Sequence, residues 1–599
     1  MDIVSYVREP RFKMLLVGVG GDDTELVWFN HSDFIHYTTV VDWANTVVVG
    51  HNIKFDGFIL KERYGIIAGQ YIDTLAMSRA VLGKTIKSHS LASLAEHFGL
   101  EQKGHLDTNG KKDLTTEENK ALAEYCLRDV ELCRQIYHKL APEFPANQYG
   151  IMDQTIRMFC DPKLQLNVPL LEKCATEEAS RRENIFKDIG IDKKIFASNV
   201  KFPALLESKD YIVPTKPSPK KKDEGTGEPI QIPALALEDT EFLNMLEGEN
   251  EELKELCEAR VAAKSTLLET RSNKLANIGR TGSWPFDVEF SGADQTHRFS
   301  GGSGAGGNPQ NFTRGSALRQ AVESPCNHSL VVGDFAAIEL RIQAYLSRDP
   351  GLVGGIESNH DLYCDFASAF YGRTITKENK EERRFGKTAM LGLGYGMGWK
   401  KFIKTVRNKT GQKIDEETSR KAVDLYRTRY AQIPALWQKL DNAIIQLIKA
   451  KYIEATNQTR KVHFIGIPMQ FGEEALILPS GLKIRFPNLR QEEGERGNME
   501  WVYDVWSKGQ LEHRKLYGGK VLENICQGLA GELTKQAMAD MGDNVVGQIH
   551  DELIVICKKG LEHVTMAKLK RAMTSSPSWL PQMKLDAEVH AGQNWLESK

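Results

Sequence analysis

The feature that most constrains this chain is a pair of apolar β-prone runs that each carry acid. In HSLVVGDF (328–335), Leu330, Val331 and Val332 read as a buried strand, and Asp334 stands at its end. From Ile338 onward, Leu340, Arg341, Ile342 and Tyr345 give a helical period. In NVVGQIHDELIVIC (544–557), two apolar runs flank His550, Asp551 and Glu552. The simplest fold for that segment is a β-hairpin presenting Asp551, and with it Glu552, at the tip. An acid on a rigid strand end can be placed accurately enough to hold a metal. Asp is also a favoured helix cap, and a solvated hairpin turn is the plainer reading of the second segment. Adjacent acids between apolar runs are costly to keep ionised without a partner. Two such strand ends invite a two-metal site, where divalent cations stabilise the attacking and leaving oxygens of a phosphoryl displacement. Carboxylate oxygens suit Mg²⁺.

The rest of the chain limits the class. At about 150 residues per domain, 599 residues make roughly four domains or subdomains. Hydrophobic residues at 41% and charged residues at 26% exclude wholesale disorder. Apolar runs such as 14–20 and 46–50 fall short of the roughly 20 residues of a membrane span. Nine Cys without a CxxC make neither a disulfide scaffold nor a zinc ribbon. MDIVSYVREPRFK has no apolar core of a signal peptide, so a reducing cytoplasm fits best. A net charge of −2 leaves nucleic acid open, since a basic groove can sit on a neutral whole. No fixed-period repeat is present. Segments 13–20 and 25–29 read as strands across a GGDD turn, and 45–52 as a third, buried strand. Segments 90–100 and 117–140 read as helices. Segment 214–229, rich in Pro, Lys and Gly, reads as an exposed loop, and 241–279 as a long helical stretch.

EERRFGKTAMLGLGYGMG (381–398) places Arg383, Lys387, Leu391 and Tyr395 four apart, on one helix face. Arg383 and Lys387 would form a cationic strip suited to a triphosphate, with a ring for stacking at its far end. A solvated basic face is the ordinary alternative. Gly386-Lys387-Thr388 is not a P-loop, because Glu381 stands where its first Gly belongs. The glycines at 392–398 place the helix end near there. Upstream, THRFSGGSGAGGNPQNF (296–312) carries Arg298, Gln310 and Asn311 in a Gly-rich setting.

Together these segments resemble family A DNA polymerases, the bacterial polymerase I type, and among them the compact phage-like members. DFAAIELR (334–341), RRFGKTAMLGLGYG (383–396) and HDE (550–552) are similar to the family's three polymerase motifs, in order and at plausible spacing. The resemblance implies a multidomain α/β and α+β chain, with an RNase H-like exonuclease domain followed by a right-hand palm, thumb and fingers. Its expected divisions are 1–145 for the exonuclease-like domain, 146–290 for connecting helices and thumb, 291–355 for the first part of the palm, 356–450 for the fingers, and 451–599 for the second part of the palm. On this reading the family's 5′-nuclease domain is expected to be absent. The resemblance implies that Asp334 and Asp551, with the Phe335 carbonyl, bind two Mg²⁺ ions, Mn²⁺ being an alternative, and that Glu552 supports them. Arg383 and Lys387 would hold the triphosphate, beside Leu391. Glu339 and Tyr395 would exclude a ribose 2′-hydroxyl. Arg298, Gln310, Asn311, Gln527 and His550 would meet the primer terminus or the minor groove near it. Lys264, Arg271 and Lys274, on a thumb helix, would grip phosphates. The expected partners are primer-template DNA and deoxynucleoside triphosphates, with no membrane, the protein acting as a monomer in a bacterial or phage-infected cytoplasm. Departures from the family pattern are Leu391 in place of Phe or Tyr, Ala336 and Ala337 in place of a polar pair, and Glu523 where Asn is common.

The N-terminal segment resembles the family's 3′–5′ exonuclease in part. HNIKFD (51–56) supplies Asn52 and Asp56, and YCLRD (125–129) supplies Tyr125 and Asp129. The first motif, DxE on a central strand, is expected to be missing. Asp23-Thr24-Glu25 has its letters but sits in a turn, so the chain would start after the first strand. With two acids rather than four, proofreading is expected to be weak or absent. The rival readings are a 3′–5′ exonuclease with an accessory C-terminal region, and a non-catalytic DNA-binding protein.

Overall fold

The computed structural model describes the chain except residues 1, 105, 107–113, 224, 238, 249, 294, 455–461, 464–468, 473 and 495–496. It forms two compact units, Leu166–Thr281 and the remainder, Met1–Gln165 with Gly282–Lys599. Among the described residues no helix is long and apolar enough to cross a membrane.

The N-terminal segment holds two separate two-stranded ladders. Strands β1 (Leu16–Val19) and β2 (Val27–Asn30) pair antiparallel, and β3 (Val47–Gly50) and β4 (Gln70–Asp73) pair parallel. Helix α1 (Ile53–Tyr64) follows Asn52, which takes a left-handed conformation at φ 63°. Helix α2 (Thr116–Leu140) opens with a Thr115–Glu118 capping box and packs on β1, β2 and β3. The expected buried strand at 45–52 is shorter and not buried: Val47 and Val49 are 49% and 38% exposed. Among the described residues β3 pairs with β4 alone, and Val47 and Val49, which share one face, are left open to solvent.

In the Leu166–Thr281 unit, α3 (Val168–Ile189) packs on α4 (Glu251–Lys264) and α5 (Leu267–Gly279). Phe196, Phe202, Leu206, Phe242 and Leu256 form its core. The segment expected to be a loop is a β-hairpin, β5 (Thr215–Lys222) with β6 (Pro229–Pro233). Asp223 closes its turn by accepting from the Gly225 and Thr226 amides, and a two-stranded exposed ribbon tolerates Pro where no ladder bond is needed. The stretch expected to be one long helix at 241–279 is three. Asn250 caps α4 through the Leu253 amide, and Ser265-Thr266, poor helix formers, separate α4 from α5.

The polymerase-like segment is built on an antiparallel four-stranded sheet ordered β8-β9-β7-β10. These are β7 (His328–Phe335), β8 (Val545–Ile549), β9 (Glu552–Lys558) and β10 (Ala587–Gly592). Leu330 and Val331 are fully buried, so the ladder is a rigid base for what stands at its ends. Helix α6 (Ile338–Ser347) leaves β7. Helix α7 (Lys380–Leu393) ends at Gly394, within the glycine run that reads as its stop. Helix α8 (Gly518–Met541) is buried along most of its length. Lys54 pairs with Asp287 at 2.7 Å, and Arg485 donates to the Val81 carbonyl at 2.8 Å, tying the N-terminal segment to this one.

Gly386 is explained by packing rather than phosphate binding. A Cβ there would lie 2.2 Å from the Tyr363 carbonyl oxygen, on the helix Leu362–Tyr371. Gly386→Ala should therefore cost about 1–3 kcal/mol in equilibrium denaturation. Gly354→Ala, on a helix with open space at the same atom, should gain about 0.4–1 kcal/mol.

Candidate active site

Two acids far apart in the chain meet at one end of the sheet. In the β7–β9 ladder Asp334 stands opposite Glu552. The β8–β9 turn holds His550 and Asp551, and the Phe335 amide donates to the Asp551 carbonyl at 3.2 Å. Two residues near the aspartates take a left-handed conformation: Ala337, three residues after Asp334, at φ 51°, and His550, just before Asp551, at φ 53°. Such a backbone costs a residue with a Cβ roughly 1–2 kcal/mol. The strain sits where the chain turns beside each acid.

The carboxylates repel one another. Burial, and next the charge of Asp334, push the Asp551 carboxyl up to about 6. Cations gather against this charge. Asp334 Oδ2 accepts from Arg314 at 3.1 Å and from Lys599 at 3.2 Å. Burial brings the Lys599 ammonium down to about 8, against the pull of Asp334. Glu552 is not at the hairpin tip as expected. It is the first residue of β9, and the ladder turns its side chain into the packed interior. There it accepts from Trp595 Nε1 at 2.6 Å and from Arg319 at 3.5 Å, and pairs with Lys599.

The basic helix lies nearby. Arg383 and Lys387 share the Tyr363 ring, 5.4 and 5.7 Å from its centroid, which confirms that they occupy one face. Arg383 Nε donates to Asp361 at 2.8 Å. Burial, then the charges of Arg314 and Arg383, lower the Lys387 ammonium, while Asp334 and Asp551 oppose them. Leu391 packs half-buried against the helical core around Phe385 and Met390. Just past α7, the Tyr395 hydroxyl donates to Glu339 at 2.6 Å, and Arg298 reaches the other Glu339 oxygen at 3.4 Å. Arg298, Glu339 and Tyr395 thus form one chain of contacts. Gln310 donates to the Phe299 carbonyl at 3.3 Å from the turn that also holds Asn311. Gln527, on α8, bonds its own helix neighbour Glu523. Lys264 ends α4, and Arg271 and Lys274 lie on α5, so these three belong to the separate Leu166–Thr281 unit and to two helices rather than one.

In the N-terminal segment, the Asn52 amide donates to buried Asp73 at 2.8 Å, and Asp56 stands exposed on the first turn of α1. Asp56 and Asp129 are neighbours: after burial itself, both raise the Cys126 thiol. Asp129 is already paired, with Lys103 at 2.9 Å, and the same ammonium lies 5.4 Å from the centre of the Tyr125 ring. Asp23 and Glu25 are elsewhere. Their bend is tied to later turns of α2 by Arg134, which donates to the Gly21 carbonyl, and by His138 against Asp22 at 3.0 Å.

Residues 306–597 match the model of DNA polymerase family A, and residues 29–145 match that of a 3′–5′ exonuclease. The polymerase segment is thus similar to DNA polymerase family A. The chain is similar to DNA polymerase I of Synechocystis sp., at 25% identity over 92% of this chain and 53% of that protein. It is also similar to DNA polymerase I of Borreliella burgdorferi, at 22% over 92% and 56%. The chain thus spans about half the length of the curated relatives it matches. Among solved structures, the POL domain of Pol1 from M. smegmatis, in complex with DNA primer-template and dNTP, aligns with a TM-score of 0.67. That alignment has 17% identity and covers 98% of this chain and 93% of that one, so it shows the shared fold.

Four residues around the family A site escaped the sequence reading. Arg314 lies just beyond the quoted Gly-rich segment, and Arg319, Trp595 and Lys599 have no period or motif that singles them out. A fold-level cue existed for one of them: a buried Glu552 demands a positive partner.

The Asp551 shift makes a testable statement about stability. A carboxyl raised in the folded state favours folding while protonated. That contribution is complete below the ordinary range near 3.8 and is lost as pH rises through about 6. Without divalent cations, the wild type should lose about 1–3 kcal/mol across that window. Asp551→Asn should abolish the loss and be the more stable protein at pH 8, as read by denaturant titration.

Proposed function

We propose that this chain extends a DNA primer on a DNA template with deoxynucleoside triphosphates. One observation carries the reading: Asp334 and Asp551 meet at a rigid sheet end with the Lys387 ammonium close by. The pair fits divalent cations, because the Asp551 carboxyl is pushed up first by burial and next by the negative charge of Asp334. Carboxylate oxygens suit Mg²⁺, whose shell substrate phosphates and water complete. Asp334, Asp551 and the Phe335 carbonyl would hold two Mg²⁺ or Mn²⁺ ions. When bound, these supply activation of the primer 3′-hydroxyl and neutralisation of the leaving pyrophosphate.

The chain's own groups do the rest. Arg383 and Lys387 hold the triphosphate. The Tyr395–Glu339 bond fixes a wall where a 2′-hydroxyl would fall. Arg298, Gln310, Asn311, Gln527 and His550 face the primer end. We read the Leu166–Thr281 unit as the thumb, whose Lys264, Arg271 and Lys274 meet phosphates. The contents of the M. smegmatis complex support primer-template DNA and a deoxynucleotide as partners.

We read the exonuclease segment as a scaffold with weak or absent excision. Lys103 supports this by pairing with Asp129, as do the two disconnected ladders. The rival in which excision is the main activity is disfavoured, because the intact pair of acids lies at the polymerase end.

In a primer-extension assay with Mg²⁺, Asp334→Ala and Asp551→Ala should each lose roughly 10³-fold or more in rate, with DNA binding retained. Lys387→Ala should mainly impair triphosphate use. Extension by either aspartate variant at the wild-type rate overturns the reading. On a mismatched 3′ end, excision should be negligible and unchanged by Asp56→Ala; strong excision abolished by that change would show a working exonuclease.

A further inference from the structure

Lys599 touches two carboxylates, and this has a consequence for how the site is charged. Its ammonium pairs with Glu552 and lies 3.2 Å from Asp334 Oδ2. The side chain is set on a fixed base. Trp595 is fully buried, its amide donates to the Val322 carbonyl at 2.8 Å, and the Arg319 guanidinium stacks on its ring at 4.1 Å. Asn594 accepts from the amides of Leu596 and Glu597, and Ser598 donates back to the Asn594 carbonyl at 2.8 Å. Residues 594–598 therefore deliver Lys599 to one place.

The two carboxylates are not equivalent partners. The Glu552 side chain is 3% exposed and needs a positive neighbour at all times. The Asp334 side chain is 20% exposed and also has Arg314, itself 65% exposed. A divalent cation on Asp334 would repel an ammonium 3.2 Å from the same oxygen. Glu552 offers that ammonium a second seat with no change of main chain.

Resting on the two-carboxylate reading above, we propose that Lys599 is a resident counter-ion, which a divalent cation must displace from Asp334 and which Glu552 then retains. Lys599 is a positioning residue in this scheme. It keeps the acids together without metal, and it sets the metal concentration at which they become available.

The test is Mn²⁺ binding to the full chain without DNA or nucleotide, read from the electron paramagnetic resonance of free Mn²⁺. Lys599→Met should bind about tenfold more tightly than wild type, the scale of one nearby unit charge after screening. Lys599→Arg, which keeps the charge, should bind as wild type does, whereas a loss of packing alone would not be rescued this way. Asp334→Asn should lose the binding. Lys599→Gln replaces the methionine variant if that one does not fold. Equal or weaker binding by the neutral variants, with binding still lost in Asp334→Asn, overturns the counter-ion and leaves the polymerase site standing. Unchanged binding in Asp334→Asn overturns the site itself. The Mg²⁺ concentration for half-maximal primer extension should fall by the same factor in Lys599→Met.

Discussion

The β7–β9 ladder forces two negative charges together, and the surrounding structure is arranged to tolerate that. Register places Asp334 opposite Glu552, and the Phe335–Asp551 hydrogen bond holds the hairpin turn beside the strand end. Like charges at such range would separate on a flexible loop. Here each is attached to a sheet whose central residues are fully buried, so separation would cost core packing. Burial, and after it that repulsion, raises the Asp551 carboxyl, and Arg314 and Lys599 pair with Asp334 at the same end of the sheet.

Those cations differ in how firmly they are held, and the difference sorts their roles. Arg319 is 5% exposed, stacked on Trp595 and bonded to the Phe312 carbonyl, so it is part of the interior and serves Glu552 permanently. Arg314 is 65% exposed and reaches Asp334 at 3.1 Å. Arg383 is held through Nε by Asp361, which also caps the helix Leu362–Tyr371. That fixes the guanidinium against a specific helix rather than leaving it to sample solvent. Lys387 has no such carboxylate clamp in its described contacts and lies close enough to feel both aspartates. A triphosphate would meet one oriented planar donor and one adaptable point charge on the same helix face.

Local pattern made some of this legible in the sequence. The strand ending in Asp334, the hairpin around Asp551, the helix carrying Arg383 and Lys387 and its stop in glycines all follow from period and propensity. What escaped depends on packing that no local window contains. Glu552 reads as a tip residue, but the ladder aims it inward at Trp595. The strand at 47–50 reads as buried because three of its four residues are valine, yet among the described residues it pairs with one strand alone and Val47 and Val49 stay open to solvent. The hairpin at 215–233 is hidden by prolines that an exposed ribbon can accept. Lys599 reaches Asp334 across most of the polymerase segment, a contact fixed by the anchoring of Trp595 and not by any feature of the lysine.

Two lysines in this chain sit on acids in the same manner, and comparing them separates the two segments. Lys103 pairs with Asp129, and its other partner is the Tyr125 ring. Lys599 pairs with Asp334, and its other partner is the Glu552 carboxylate. A cation arriving at Asp129 would leave Lys103 with a ring face worth about 0.5–1 kcal/mol at an exposed site. A cation arriving at Asp334 would leave Lys599 in a charge-assisted contact worth about 1.5–3 kcal/mol. The lysine in the polymerase segment therefore has somewhere to go. Lys103 pairs with Asp129 beside the Tyr125 ring, and Asp129 shares its surroundings with Asp56 and Asp73. On the proposed scheme the same kind of contact gives Lys599 a second carboxylate to hold it, whereas Lys103 has an aromatic ring.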